Sequence, residues 1–360
     1  MNENILLVPY NRNGLKLKNH LVMAPMTRSR AIDNIPDDLM AEYYGQRNGA
    51  GLIITEGTSP TPESLGYPRI PGMFSTEQVE GWKEITNAVH AGGSKIFVQL
   101  MHTGRIGHDD NLPRGLHLVS SAAVKPAGSI FTDTKGIQEN SEPVALTTEG
   151  VKEAIKGHVT AATNAMEAGF DGIELHGANG YLIEQFLNPN LNNRTDEYGG
   201  SVQARAKFVT DLAREIGDAI GFEKVGIRFS PFSTMGDLKA YAEDDVINTY
   251  LYLARELGKL QIAYLHIGLS PAVKDDFLRQ LKEAFSGTLI ICNGLTAEIA
   301  KQALESGKAD LAAFGRSFLA NPDLPERIAE NAALGQPDMS RFYTPGARGY
   351  TDYKPLQVTM

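Results

Sequence analysis

Short apolar runs recur along the whole chain, and longer segments of mixed polar and apolar residues separate them. Each run is a few residues long and rich in β-branched residues, a pattern typical of strands that are buried on both faces. We therefore predict eight strands, at residues 20–25, 51–56, 95–100, 172–176, 225–229, 264–267, 289–292 and 311–314.

The segments between the runs repeat their apolar residues at the spacing of an amphipathic helix. Glycines stand where these helices would end, at Gly92, Gly169, Gly221, Gly258 and Gly307. Strands that alternate with helices indicate parallel βαβ units, and eight units favour a closed (β/α)8 barrel, the TIM barrel, over an open doubly wound sheet. Helices are predicted at 79–91, 151–168, 202–220, 244–257, 274–285 and 297–306.

One connection, after the third strand, is much longer than the others and is rich in Gly, Pro and Ser. Loops of that length are usually functional. We expect residues 101–146 to form a capping excursion over the barrel mouth, with a short hairpin, and residues 341–360 to pack across the barrel. Because no second domain or repeat is visible, residues 1–360 are predicted to form a single domain.

Charge and composition narrow the class of protein. The net charge of −9 argues against a nucleic-acid surface. Cys292 is the only cysteine, which excludes an internal disulfide and fits a reducing compartment. The first residues lack the pattern of a signal peptide, and no apolar run reaches the roughly 20 residues of a membrane helix. We expect a soluble, cytoplasmic protein that binds neither membrane nor nucleic acid; the oligomeric state is left open.

In TIM barrels, the chemistry gathers at the carboxyl ends of the strands. The polar residues predicted there include no cluster with metal-ligand spacing, no nucleophile elbow and no lysine that would form a Schiff base. His176 has no second histidine or carboxylate placed to share a metal with it. This set of residues suits a cofactor that brings its own chemistry.

The seventh and eighth predicted strands end in a pattern that fits a phosphate group. Asn293 and Gly294 follow the seventh strand, and the next helix begins after Thr296, so backbone N–H groups and a helix terminus face the same point. Gly315 and Arg316 repeat the arrangement after the eighth strand and add a guanidinium. A phosphosugar and FMN both remain possible ligands on this pattern.

Other strand ends favour a flavin. Gln99 can meet the polar edge of an isoalloxazine, and Arg228 can supply positive charge near its N1 and C2 carbonyl, where reduction deposits negative charge. Pro25, Met26 and Thr27 are placed to flank the ring with backbone groups and one hydroxyl.

Several stretches of the sequence resemble a known family. The most specific stretch, residues 176–201, reads HGANGYLIEQFLNPNLNNRTDEYGGS, and further blocks read GLIITEGT from Gly51, VQLMHTGR from Val98 and AAFGRSFLANPDL from Ala312. These blocks resemble the Old Yellow Enzyme family of FMN-dependent NAD(P)H oxidoreductases, and within it the bacterial N-ethylmaleimide reductase and pentaerythritol tetranitrate reductase group.

The resemblance implies a TIM-barrel ene-reductase. Such an enzyme reduces the activated C=C bond of an α,β-unsaturated carbonyl compound in a ping-pong cycle in which NADPH or NADH first reduces tightly bound FMN. Maleimides, quinones, nitroesters and nitroaromatics are further plausible substrates. The implied cofactor contacts are Ala24, Pro25, Met26, Thr27, Gly57, Gln99, Arg228, Asn293, Gly294, Gly315 and Arg316.

The resemblance also assigns the reacting residues. His176 and Asn179 would hold the oxygen of the substrate, and Tyr181 would donate the proton. Asn179 stands where many relatives carry a second histidine. The substrate cavity would include Tyr67, Tyr350 and Met101, the last of which stands where an aromatic residue is common.

Two alternatives stay open from the residues alone. A phosphosugar lyase or isomerase would need a base at a strand end, and Glu56 is the only carboxylate that qualifies. A barrel that binds flavin without turnover is the second alternative. Arg194 and Asp196 are interpreted as a structural ion pair rather than as catalytic residues.

Overall fold

The computed structural model describes residues 4–12 and 14–356. Eight parallel strands pair in chain order, and the eighth pairs with the first, so they close into a barrel. The predicted (β/α)8 barrel is therefore confirmed. The barrel strands are Leu21–Met23, Leu52–Thr58, Lys95–Leu100, Gly172–Gly177, Val225–Phe229, Tyr264–Gly268, Thr288–Cys292 and Leu311–Phe314.

Helices follow the strands and form the outer layer. Those that the periodicity predicted are present, at Thr76–His90, Thr148–Glu167, Val202–Ile220, Glu243–Leu260, Asp275–Phe285 and Ala297–Glu305. Four shorter helices were not predicted, because eight residues or fewer show too little of a helical repeat. They are Asp38–Gly45, Leu182–Leu187, Arg316–Ala320 and Leu324–Ala329.

Glycine has a positive φ just after the helix at three of the predicted helix ends: Gly169, Gly221 and Gly307. Gly92 also stands just after its helix, which ends at His90, although the left-handed residue is the next one, Gly93, with φ of 75°. The prediction for Gly258 is wrong. Gly258 lies inside Glu243–Leu260, where a Cβ would stand 2.7 Å from the carbonyl oxygen of Phe285. Glycine at 258 therefore allows two neighbouring elements to pack closely.

The amino-terminal end of the barrel is closed by a hairpin that the sequence did not predict. Strands Tyr10–Arg12 and Leu15–Leu17 pair antiparallel, and Leu15 and Leu17 join the apolar cluster inside the barrel. The hydroxyl of Tyr10 lies 2.7 Å from that of Thr288, the first residue of the seventh strand. Because this end is closed, the opposite end remains for the site.

Residues 101–146 contain two small sheets. The hairpin of Ser129–Thr132 and Gly136–Glu139 is antiparallel, as the sequence suggested. Strands Val119–Ser120 and Val144–Ala145 pair in parallel. Arg105 ties this segment to the loop after the fifth strand, because its guanidinium donates to the carbonyl oxygens of Val124, Gly236 and Asp237.

The carboxy-terminal tail lies against two buried arginines that follow the first strand. Arg28 donates to the carbonyl oxygens of Phe342 and Gly349, at 3.2 and 2.7 Å. Arg30 donates to the carbonyl oxygens of Phe342 and Gly346, at 2.8 and 3.2 Å. The tail therefore packs across the barrel as predicted up to residue 356, and residues 357–360 lie outside the described part.

Candidate active site

A cavity of about 760 Å³ opens at the carboxyl ends of the barrel strands. It collects residues that lie far apart in the sequence, since they come from several strands and from the long excursion. Most of the predicted flavin-ring and substrate residues line it: Pro25, Thr27, Tyr67, Gln99, Met101, His176, Asn179 and Tyr181.

His176 is the penultimate residue of the fourth strand, and its ring is placed to donate a hydrogen bond. The backbone N–H of Ala178 donates to its Nδ1 at 3.3 Å, so the proton of the neutral ring resides on Nε2. Burial lowers the pKa of His176 well below its ordinary value, and Arg228 and His266 lower it further. The imidazole is therefore neutral at pH 7 and keeps one N–H to donate to a ligand in the cavity.

Asn179 reaches the cavity by a route that the sequence did not predict. The chain does not continue into a helical turn at once after the strand, because Asn179 and Gly180 both have positive φ, 60° and 83°. Asparagine and glycine tolerate this left-handed conformation best. The backbone N–H of Asn179 donates to Ser230 Oγ at 2.8 Å, which anchors the turn to the end of the fifth strand.

Glu184 holds the same turn from below, and sequence reasoning missed it. Its Oε2 accepts from the N–H of Gly180 at 2.6 Å, and its Oε1 accepts from Ser230 and from the hydroxyl of Tyr250, at 3.0 and 3.3 Å. Burial raises the pKa of Glu184 to about 8. A glutamate in the mostly apolar stretch LIEQFL was the available signal.

Tyr181 follows this turn and pairs with Tyr67. Their hydroxyls lie 3.0 Å apart, and the ring of Tyr181 packs edge to face on His176, with centroids 4.9 Å apart. Burial raises the pKa of Tyr181 well above its ordinary value, and Tyr67 adds to this. The phenol therefore holds its proton at neutral pH.

Gly57 and Met101 form the adjoining wall. Gly57 lies at an irregularity in the pairing of the second and third strands. A Cβ at Gly57 would stand 2.4 Å from the sulfur of Met101, so the close approach requires glycine. Met101 itself is buried and packs with Leu65, Ile70 and the aromatic ring of Tyr67.

The ends of the seventh and eighth strands form an open cradle. Asn293 and Gly294 have positive φ, 79° and 67°, and a Cβ at Gly294 would meet nothing within 4 Å. Thr296 caps the helix that follows, since its hydroxyl accepts from the N–H of Ile299 at 3.2 Å. Across the cradle, Arg316 is exposed at the start of its helix.

Gly315 and Ala24 connect the cradle with the cavity. A Cβ at Gly315 would stand 3.2 Å from the sulfur of Met26, which follows the first strand. The backbone N–H of Ala24 donates to the carbonyl oxygen of Phe314 at 3.1 Å, so the ends of the first and eighth strands are joined. The cradle and the segment that lines the cavity are thus contiguous.

Tyr350 is not where the sequence placed it. It is fully buried and stacks on Tyr43, with centroids 4.0 Å apart, and it does not line the cavity. The guanidinium of Arg30 lies 4.5 Å from the centre of its ring. Tyr343, from the same tail, lines the cavity instead.

The mouth of the cavity carries an apolar rim that sequence reasoning also missed. Four exposed apolar side chains from three separate segments line it: Phe131, Met235, Met339 and Tyr343. No local sequence signal relates them, because only the folded chain brings the hairpin, the loop after the fifth strand and the tail together.

The described residues contain neither a cluster of metal-ligating side chains nor a membrane-spanning helix. Nowhere in residues 4–12 and 14–356 do three or more His, Cys, Asp or Glu side chains gather as a metal site would require. Within the same residues, no helix is long and apolar enough to cross a membrane. Arg194 Nε donates to Asp196 Oδ1 at 3.0 Å. Neither residue lines the cavity, which agrees with the interpretation of a structural ion pair.

A closed barrel with a cavity at the carboxyl ends of its strands is the arrangement of a TIM-barrel enzyme. The chain belongs to the NADH:flavin oxidoreductase / NADH oxidase family, whose sequence profile matches residues 6–334. The prediction of the Old Yellow Enzyme family is confirmed, and FMN is the cofactor.

Known proteins resemble this chain over nearly its whole length. The 12-oxophytodienoate reductase 7 of Oryza sativa subsp. japonica is 39% identical over 373 residues, which cover 97% of this chain and 94% of that protein. The structure of morphinone reductase is 40% identical, with a TM-score of 0.94 and coverage of 98% and 97% of the two chains. A complex of morphinone reductase with tetrahydroNAD has a TM-score of 0.93 at 40% identity and covers 98% of each chain.

Proposed function

We propose that this protein is an ene-reductase that reduces activated C=C bonds of α,β-unsaturated carbonyl compounds, with NADPH or NADH as the reductant. The observation that carries the proposal is the convergence of His176, Asn179 and Tyr181 on one cavity. Two of these residues can donate to an oxygen, and the third can donate a proton. Reductases of 12-oxophytodienoate and of morphinone are among the relatives, which supports a substrate of this kind.

The residues present fit FMN. The open cradle of Asn293, Gly294, Gly315 and Arg316 offers backbone N–H groups and a guanidinium for the phosphate. Gly57 packs so closely against Met101 that a Cβ would stand 2.4 Å from the Met101 sulfur, and it is a further proposed contact of the ring system. The remaining proposed contacts with the ring system are Ala24, Pro25, Met26, Thr27, Gln99 and Arg228.

Bound FMN supplies the hydride. When a hydride adds to the β-carbon, negative charge develops on the carbonyl oxygen of the substrate. His176 is fixed as an Nε2–H donor by its bond from Ala178, and Asn179 is fixed by the turn anchored on Ser230. Donors held in place before the reaction stabilise charge that appears only in the transition state.

Tyr181 delivers the proton to the α-carbon. Its hydroxyl is protonated at neutral pH because its pKa is raised. The phenolate that forms then accepts a hydrogen bond from Tyr67, whose hydroxyl already lies 3.0 Å away. Proton transfer from a positioned side chain is general acid catalysis.

The tetrahydroNAD complex of morphinone reductase supports a nicotinamide as the electron donor. We propose a ping-pong cycle in which the nicotinamide leaves before the enone enters the same cavity. We also propose that its substrates are those of the N-ethylmaleimide reductase group and that it acts in the cytoplasm. Residues 101–146 are proposed to cap the barrel within a single domain.

The phosphosugar alternative lacks an available base. Glu56 is 1% exposed, and its carboxylate accepts from the backbone N–H of Arg28 at 3.1 Å and from the hydroxyl of Tyr44 at 3.4 Å. It does not line the cavity. We therefore assign Glu56 a structural role.

The experiment that tests the proposal follows the colour of the purified protein. We expect a yellow protein that NADPH bleaches and that 2-cyclohexenone reoxidises under anaerobic conditions. Protein that takes up no FMN would contradict the whole proposal. If NADPH bleaches the protein but no enone, maleimide or nitro compound reoxidises it, the protein is a flavin reductase without ene-reductase activity.

A further inference from the structure

Four polar side chains on four successive barrel strands form one continuous hydrogen-bonded row below the cavity. Gln99 donates from Nε2 to Glu174 Oε1 at 2.8 Å, Glu174 Oε2 lies 2.8 Å from His266 Nδ1, and His266 Nε2 lies 2.6 Å from Arg228 Nη1. Glu174 and His266 are 0% exposed. Neither residue lines the cavity, and the proposed reaction does not use either of them.

The chemistry of the groups fixes the direction of every bond in this row. A guanidinium can only donate, so His266 Nε2 must accept from Arg228. The single proton of the neutral imidazole is therefore on Nδ1 and is donated to Glu174. The tautomer of His266 is thus set by its two neighbours.

The same reasoning fixes the amide of Gln99. Because its Nε2 donates to Glu174, its Oε1 is left as an acceptor at the residue's cavity-lining position. At the other end of the row, Arg228 keeps the N–H groups that His266 does not accept. One end of the row therefore offers an acceptor, and the other end offers charged donors.

This pattern complements the pyrimidine ring of a flavin, which carries a donor at N3 and acceptors at N1 and O2. We propose that Glu174 and His266 are positioning residues that hold Gln99 and Arg228 in the arrangement that recognises this ring. The proposal rests on the proposed assignment of Gln99 and Arg228 to FMN.

Charge supports the same conclusion. An isolated charge inside a barrel is costly, so buried Arg228 needs a counter-charge. Glu174 provides it through the neutral ring of His266. On the seventh strand, burial alone would raise the pKa of the Cys292 thiol, yet Arg228 and His266 lower this pKa to about 7. The positive charge of Arg228 therefore acts on neighbouring groups inside the barrel.

The first test compares two substitutions of His266. His266→Gln keeps one acceptor and one donor in the side chain, whereas His266→Leu removes both and leaves Arg228 and Glu174 without their shared partner. We expect His266→Leu to weaken the binding of FMN to apoprotein by about tenfold or more, since hydrogen bonds to charged groups are lost. His266→Gln should restore most of that loss. Fluorescence quenching of added FMN measures both.

The second test is Glu174→Gln, which keeps the shape of the side chain. Its amide N–H then faces one of the two groups that donate to Glu174, Gln99 Nε2 or His266 Nδ1. Gln99 relieves this conflict only by turning its own amide, which reverses the group that it offers. We expect weaker FMN binding and a more positive flavin midpoint potential, because a negative charge near the reduced flavin is lost. Redox titration against a dye of known potential measures the shift.

A matched control separates this role from mere stability. Tyr10→Phe removes a buried hydrogen bond to Thr288 at the opposite end of the same barrel. It should lower the Tm while leaving FMN affinity and flavin potential unchanged. If folded His266→Leu and Glu174→Gln proteins both match the wild type in affinity and potential, the inference is wrong. If the wild type itself takes up no FMN, the proposed function fails, and the inference fails with it.

Discussion

The hydroxyl groups of Tyr67 and Tyr181 lie 3.0 Å apart, and their rings meet edge to face at 87°. The two residues are 114 positions apart in the sequence and belong to different walls of the cavity. Since Tyr181 is the proposed proton donor, Tyr67 is the hydrogen-bond partner of the oxygen that acquires the negative charge.

The first prediction follows from this pair. Tyr67→Phe removes the donor to the Tyr181 phenolate, which should cost about 1.5–3 kcal/mol in the oxidative half-reaction. Reduction of the flavin by NADPH should be unchanged, because no phenolate forms in that step. Stopped-flow measurement of each half-reaction checks this, with Tyr181→Phe as the reference for full loss of the acid. Equal slowing of both half-reactions by Tyr67→Phe contradicts the assignment.

The second prediction concerns the two oxygen donors. Removing either side chain, in His176→Ala or Asn179→Ala, should slow enone reduction by about 2.7–4 kcal/mol, the typical value for one donor to a developing oxyanion. The double variant should also lose the absorbance change that a bound phenol causes in oxidised flavin. A double variant that binds phenols as the wild type does would place the oxyanion site elsewhere.

The third prediction tests the contact between Gly57 and Met101. Gly57→Ala places a methyl group 2.4 Å from the sulfur of Met101, so the Met101 side chain must move. Overpacking of this kind costs about 1–3 kcal/mol. We expect a lower Tm and weaker binding of bulky enones, with small enones less affected.

The double variant Gly57→Ala with Met101→Ala is the control for that contact. Removing the long side chain relieves the clash, so the loss of stability in the double variant should be smaller than the sum of the losses in Gly57→Ala and Met101→Ala measured singly. Additive losses would mean that Gly57 is needed for a different reason, such as its backbone conformation at the irregular strand pairing.

The fourth prediction is a pH dependence of stability that comes from Glu184. Its pKa is about 8 in the folded protein, against an ordinary value of 4.5. Between these two values the folded state holds a proton that the unfolded state has released. Stability therefore falls as pH rises from about 4.5 to about 8, by up to about 1.4 kcal/mol per pH unit.

Glu184→Gln isolates this contribution, because the amide is neutral at every pH and still accepts from the N–H of Gly180. Its stability should vary less with pH over the same range, as measured by urea unfolding. Glu56, whose pKa burial raises to about 7, contributes equally to both proteins and cancels in the comparison. Parallel curves for the two proteins would show that Glu184 does not keep its proton.

The barrel was predictable because its eight strands are short, buried runs that any barrel requires. The strand-end residues followed from that assignment, and His176 and Tyr181 received roles only through a family resemblance. Those roles stay predictions until the variants above are measured. The rule that glycine marks the end of a helix failed at Gly258, because this glycine is required by the carbonyl oxygen of Phe285 in another helix.

Positions fixed by distant contacts were not predictable. The tail has little periodicity, and it is bound by Arg28 and Arg30, which lie more than 300 positions away in the sequence. Tyr350 packs on Tyr43, while Tyr343 reaches the cavity. Glu184 was missed for a related reason, because its role appears only when the turn at Gly180 folds back over it.

The anchoring of the tail by Arg28 and Arg30 has an evolutionary consequence. Both arginines bind carbonyl oxygens, which every amino acid provides, so these hydrogen bonds do not themselves require particular side chains in the tail. Tail residues that make no other buried contact can change without breaking these bonds. The entrance of the cavity can thus change toward new substrates while the proposed cofactor contacts on the barrel strands stay in place.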